Sequence, residues 1–415
     1  MLLGLDLNDS VSQISYIDDS LEQIVPVTLS TIAGGSNFEV PTVLGKLSDM
    51  NSWVYGEQAV EMAAAGSAVL VEHIVEHAIN EDIVVVDGNE FSADDLLLIF
   101  VRRMLFLSSL VGNWQEAAGI CICVERFDHK YVRALKKLAE NLAYPAERIH
   151  FISRAESFFE FEIHQNEELW RNDVVLFDYM SDTPIERVLT VDRSTKPAVC
   201  RVSEKTALDE SGAPVKASDD DAVLSYFEKS LNGKMVSSVY LVGNASDELS
   251  KTTRYLSVKR RVFKGSNLYT IGAVYSALER CKNAKEPLLY LFLGKDKLKS
   301  NIGLLVQKGR EEVYISLADA GVNWYDVDTV MEFYLGREKE LRFLLTPLVR
   351  KNNHVAVVRL AEFPARAEHT TRVRLHITMT DEDTMRVMVK DLGFGDIFPA
   401  TGAKVMEEIQ LESEI

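Results

Sequence analysis

An apolar run closes on a single carboxylate near the start of this 415-residue chain. In LLGLDLNDSVSQISYID, Asp6 ends the run, Asn8, Asp9 and Ser10 form a small polar turn, and alternation resumes through Val11, Gln13, Ile14 and Tyr16. Period-two patterning on both sides of a short polar turn predicts two strands joined as a hairpin. A buried strand that delivers one Asp to the head of such a turn is suited to hold a metal–phosphate group. The plainer reading of the same residues is a soluble hairpin with one surface Asp.

Other residue sets offer chemistry less directly. His73 and His77 stand at i and i+4, a spacing that binds zinc on a helix, but no third ligand is evident, and an exposed polar helix face accounts for them. Asp381, Glu382 and Asp383 have the composition of a calcium loop, yet a bare hairpin turn between two strands needs no metal. Phe158, Phe159 and Phe161 read as core packing. Neither G-x-x-x-x-G-K-[ST] nor G-x-S-x-G occurs, which removes two common enzyme classes.

A net charge of −18 argues against nucleic acid, because a phosphate backbone would be repelled. The short basic run VKRRVFK (258–264) is expected to be a solvated helix face. Four cysteines make no disulfide framework: Cys121 and Cys123 alternate on one apolar strand, and Cys200 and Cys281 stand alone. A reducing, cytoplasmic location follows as the expectation. No signal peptide is expected, since Asp6 interrupts the first apolar run with no basic leader before it. The apolar stretch LLLIFVRRMLFLSSLV is broken by Arg102 and Arg103, so no membrane span is expected either.

Around these residues the pattern alternates hairpins with helices. FSADDLLLIFVRRMLFLSSLV predicts a long helix capped by Ser92 with carboxylates in its first turn. AAGICICVERF predicts a buried strand, DHKYVRALKKLAENLA an amphipathic helix capped by Asp128, and DVVLFDYM with ERVLTVDRS a hairpin. The polar region 192–222 reads as a surface excursion, its DDD a solvated turn and helix start. Past KNAKEP, at about 285–290, the chain becomes a succession of short strands with polar turns, the pattern of an all-β sandwich. The first part fits α/β layers.

Three segments, in order and suitably spaced, resemble the DnaK-type heat-shock chaperones and their actin and sugar-kinase relatives. GLDLNDSVSQISYI (4–17) resembles that superfamily's first phosphate hairpin, VVLFDYMSDTPIERVLTV (174–191) its second, and SVYLVGNASDELSKTTRYL (238–256) its adenosine motif. YTIGAVYSALER (269–280) is similar to the small-residue helix that closes the domain, and TTRVRLHITMTDEDTMRVMVKDLGFG (370–395) to the chaperones' peptide-binding sandwich. The resemblance implies an actin-like (ribonuclease-H-like) ATPase-type domain over 1–285 lacking one sublobe, then a β-sandwich over 286–415 with no helical lid.

For the site, the resemblance implies ATP or ADP with magnesium. Asp6 and Asp178 would be the metal-holding residues, Asn8, Ser10 and Ser181 the phosphate turns, and Gly243, Asn244 and Ser246 the adenosine side. Departures from the family's pattern oppose this. Asp9 would place a carboxylate about 4 Å from phosphate, costing about 4 kcal/mol per unit-charge pair at an effective dielectric of about 20. Tyr179, Met180 and Ser181 stand where bare glycine amides would approach. The water-orienting glutamate falls near Arg154 or Glu156, and no catalytic lysine is found. These departures predict weak or absent ATP hydrolysis on a retained scaffold, with the sandwich binding a peptide or protein partner. A scaffold for one dedicated partner and a divergent active ATPase stay open as alternatives, as does the oligomeric state.

Overall fold

The computed structural model describes residues 1–18, 26–30, 38–48, 52–180, 184–216, 218–243, 249–281, 288–308, 311–348 and 353–411. The chain divides into two compact units, Met1–Leu291 and Phe292–Ile415. The KNAKEP segment lies outside the described residues.

The first unit is mixed α/β and is organised by two sheets. In one, Leu2–Asp6 pairs antiparallel with Val11–Ile17 and parallel with Gly119–Val124, which pairs parallel with Ile149–Ser153. Val27–Thr28 extends the hairpin side. In the other, Asp173–Asp178 pairs antiparallel with Ile185–Asp192 and parallel with Val236–Val242, which pairs parallel with Arg261–Gly265. Ala198–Thr206 extends that hairpin side. The two sheets therefore share one strand order and one pattern of directions, and in each the first strand ends on an aspartate, Asp6 or Asp178. Apart from their terminal aspartates both first strands are apolar, because they pair on two sides and are covered on both faces.

Two helices pack on each other within this unit, Arg154–Ile163 and Leu268–Cys281. Their approach depends on glycine. A Cβ on Gly272 would collide with the carbonyl oxygen of Ser157, and one on Gly4 would lie 2.5 Å from the amide nitrogen of Val274. The Thr270 hydroxyl donates to the Gly4 carbonyl at 2.8 Å, tying the second helix to the first strand.

The second unit consists of two four-stranded antiparallel sheets. One runs Glu311–Ala318, Ser300–Lys308, Glu340–Pro347, His354–Arg359, and the other Asp328–Tyr334, Arg372–Met379, Thr384–Gly393, Lys404–Gln410. Alternate residues on each central strand are buried, among them Phe343 and Leu345 on one sheet and Leu375, Ile377, Val387 and Val389 on the other. Their neighbours carry cross-strand ion pairs such as Arg374–Glu332 and Arg386–Glu408.

Several local expectations change. VKRRVFK is not a continuous helix face: the helix Ser250–Ser257 ends before it, and Arg261–Gly265 is a strand. Ser92 occupies the N-cap position of Ala93–Phe106 without a side-chain capping bond, whereas Asp128 does cap its helix, accepting from the Tyr131 amide at 2.9 Å. Within the polar region 192–222, Ala198–Thr206 is a sheet strand. Among the described residues no helix is long and apolar enough to cross a membrane.

Candidate functional site

Asp6 and Asp178 are the last residues of their strands and are almost fully buried, at 1% and 2% exposure. The strand Ile149–Ser153 runs straight into the helix Arg154–Ile163, where the Ser153 hydroxyl accepts the Glu156 amide at 3.2 Å. That turn aims Arg154 inward. Its guanidinium donates to both Asp6 oxygens, from Nε at 3.3 Å and Nη2 at 3.0 Å, and its Nη1 lies 3.6 Å from Asp178 Oδ2. One arginine thus bridges the two aspartates.

A second arginine closes the other side. Arg187, on the strand paired with Asp173–Asp178, donates to Asp178 Oδ2 at 2.7 Å, to the Tyr269 hydroxyl at 2.6 Å and to Glu204 at 2.7 Å. The Tyr269 hydroxyl donates to Asp178 Oδ2 at 2.7 Å, and its ring lies 4.7 Å from the Arg154 guanidinium carbon. The remaining Asp178 oxygen accepts the Met180 amide at 2.9 Å. Burial alone would raise the Asp178 pKa, but Arg154 and Arg187 outweigh it and hold the carboxyl below its ordinary value. Burial raises Asp6, with Arg154 pulling the other way.

The first turn is similarly committed. Asn8 Oδ1 accepts the Ser10 amide, the Ser10 hydroxyl and the Val11 amide at 2.8–2.9 Å, so Ser10's hydroxyl proton is spent within the turn. Asn8 is not among the residues with positive φ, so its backbone does not take the conformation a glycine would offer in a phosphate turn. Asp9 points to the helix Ile74–Asn80, accepting the Val75 and Glu76 amides at 3.0 and 3.1 Å and meeting His73 Nδ1 at 2.7 Å. His73 and His77 do not act together: His77 Nδ1 meets Asp82 at 2.8 Å. Asp9, His73 and Glu76 bring potential ligand atoms within 4.8 Å of one another, but the two Asp9 oxygens already take three N–H groups.

Gly243 has φ +106, and a Cβ there would lie 3.0 Å from the Tyr179 carbonyl carbon and 3.1 Å from the Met180 amide nitrogen. Its bareness therefore serves close packing on the turn after Asp178. Tyr179 is itself buried. Ser181, Asn244 and Ser246 lie outside the described residues. In the second unit, Lys299 faces the Asp381–Asp383 turn, 3.9 Å from Glu382 and 3.4 Å from Asp383.

With that geometry in place, residues 25–295 match the family of unknown function DUF5716, C-terminal. The chain belongs to this family. Residues 297–411 match a domain of unknown function, DUF8552. No curated protein matches the chain.

In this DUF5716-type chain Asp6 and Asp178 stand out in the sequence as the aspartates that close two apolar strands, whereas Arg154 and Glu156 are not separable there. Arg187, Glu204 and Tyr269 were missed there. A signal existed for Arg187, a guanidinium inside the apolar alternation of IERVLTV, because an arginine on a buried strand requires a carboxylate partner.

Proposed function

We propose that this chain is a chaperone-like scaffold on a reduced actin-like, DnaK-type plan, whose nucleotide place is filled by its own arginines. Its C-terminal unit, read as a β-sandwich, binds an extended peptide or a protein partner. Two sheets of the same strand order, each presenting an aspartate at the end of its first strand, support the plan. The observation that carries the functional reading is Arg154 bridging Asp6 and Asp178.

A hydrated magnesium ion needs free carboxylate oxygens and a site without a competing cation. Here both Asp6 oxygens accept from Arg154, and the Asp178 oxygens accept from Arg187, Tyr269 and the Met180 amide. These residues do not fit the metal, so no hydrolytic step is derived through it. Guanidinium holds two carboxylates with directed N–H bonds and stays charged at all working pH values. It can therefore join the two sheets permanently, where a nucleotide would join them only while bound.

Partner binding then falls to the antiparallel sheets of the second unit, by backbone pairing at an edge with pockets for alternate side chains. A reducing, cytoplasmic setting fits the free cysteines Cys121, Cys123, Cys200 and Cys281, the first three buried. The test is fluorescence anisotropy with a panel of labelled extended apolar peptides, with and without Mg-ATP. Saturable binding that Mg-ATP leaves unchanged is expected. Failure of every peptide, with recovery of one stoichiometric protein in a pull-down, would replace peptide binding by a dedicated scaffold role.

A further inference from the structure

The second unit holds a cavity of about 260 Å³ that plays no part in the arginine network. Arg337, Lys339 and Arg366 line it, facing a single carboxylate, Glu368. Two of these cations, Arg337 and Lys339, form no ion pair among the described residues, which is unusual in a chain of net charge −18.

The three cations differ in how far they are committed. Arg366 is fixed: its side chain is 4% exposed, it holds Asp391 through two nitrogens at 2.7 and 2.9 Å, and it donates to the Pro399 carbonyl at 2.8 Å. Asp391 also takes the Gly393 and Thr401 amides and the Thr401 hydroxyl, so it cannot swing to serve the cavity. Lys339 donates once, to the Phe363 carbonyl at 2.8 Å, and has two further N–H groups. Arg337 makes no hydrogen bond or ion pair among the described residues. Glu368 lies 3.6 Å from His369, which offsets its charge when protonated.

The walls are braced. The Leu335 amide donates to the Thr371 carbonyl at 2.9 Å, and the His369 amide donates to the Leu335 carbonyl at 3.1 Å. The cavity is smaller than the roughly 300 Å³ at which pockets for drug-sized ligands begin. A tetrahedral oxyanion and a few atoms attached to it suit such a volume. A planar guanidinium fork beside a point-charge ammonium is the donor set that phosphate oxygens select.

We propose that this cavity is an oxyanion site, with Arg337 and Lys339 as ligands and the charge-balanced Arg366–Asp391 pair as a fixed wall, taking a phosphate either free or carried on a partner's side chain. This does not rest on the functional reading above, since none of its residues belongs to the arginine network. The test is isothermal titration of the full chain at a constant ionic strength of about 0.15 M. Inorganic phosphate, a phosphoserine pentapeptide and its unphosphorylated form serve as probes, against wild type, Arg337→Gln and Lys339→Gln.

Saturable binding of at least one phosphate probe is expected, weakened about tenfold or more in each variant, with unchanged melting temperature. Inorganic phosphate binding alone supports a free anion, and phosphopeptide binding supports a phosphorylated partner. No saturation by either phosphate probe up to about 10 mM would overturn the site. So would undiminished binding in both variants, or equal binding of the unphosphorylated peptide.

Discussion

Arg154 is the first residue of its helix and lies between the two buried carboxylates Asp6 and Asp178. The consequence is energetic as well as chemical. Removing one partner from a buried ion pair leaves an uncompensated charge, at a cost of about 3–5 kcal/mol. Arg154→Met should therefore lower the unfolding free energy by about that amount in urea titration, since Asp6 and Asp178 are both left short of a counter-ion. Asp178 contributes one definite sign to the pH dependence of the network, opposite to that of Asp6, whose pKa burial raises. The Asp178 pKa is lowered in the fold, so its contribution is complete above the ordinary carboxylate value and is lost as pH falls through the depressed one.

Glu162 behaves in the opposite sense. It is 0% exposed, and the polar group that acts on its carboxylate is the Tyr240 phenol. Burial pushes its pKa up to about 7, with the Tyr240 phenol pulling the other way. The folded state then holds a proton that the unfolded state releases, so stability falls as pH rises from about 4.5 to about 7 and levels off above. At about 1.4 kcal/mol per pKa unit the loss is about 3 kcal/mol. Glu162→Gln should remove that slope and raise the melting temperature at pH 8, measured by calorimetry across pH 5–8. At this scale the sequence disclosed the carboxylates but not their partners, because Arg154, Arg187 and Tyr269 meet Asp178 only through the tertiary fold.

Among the elements, the hairpins were the most legible. Asp6 ends the first strand and Val11 begins the second, as the alternation in LLGLDLNDSVSQISYID requires. The shared strand order of the two sheets was invisible, since it repeats as topology and not as residue identity. Helix ends were partly legible: Asp128 acts as a cap, whereas VKRRVFK crosses from a helix end into a strand that charge alone could not reveal. The small residues of YTIGAVYSALER have a specific use, letting Leu268–Cys281 lie against Arg154–Ile163. Gly272→Ala would press a methyl group onto the Ser157 carbonyl, a backbone atom that cannot rotate away. Overpacking of this kind costs about 1–3 kcal/mol, and a drop in melting temperature with an unchanged far-UV spectrum should register it.

The molecule as a whole comprises two units with different architectures. The first is organised around aspartates at the ends of two like sheets and satisfies them internally. The second presents antiparallel sheets and a basic cavity. The sequence changes texture near residue 285, where mixed hairpins and helices give way to strands alone. What a sequence could not show is that the charge at the centre of the first unit is already balanced, since that balance is made by side chains far apart in the chain. Isothermal titration of the wild-type chain with Mg-ATP probes this balance most directly. The account predicts no saturable heat up to about 1 mM nucleotide, a free energy no better than about −4 kcal/mol. A dissociation constant below about 10 μM, about −7 kcal/mol, would contradict it, because triphosphate and metal would then have displaced Arg154 from between Asp6 and Asp178.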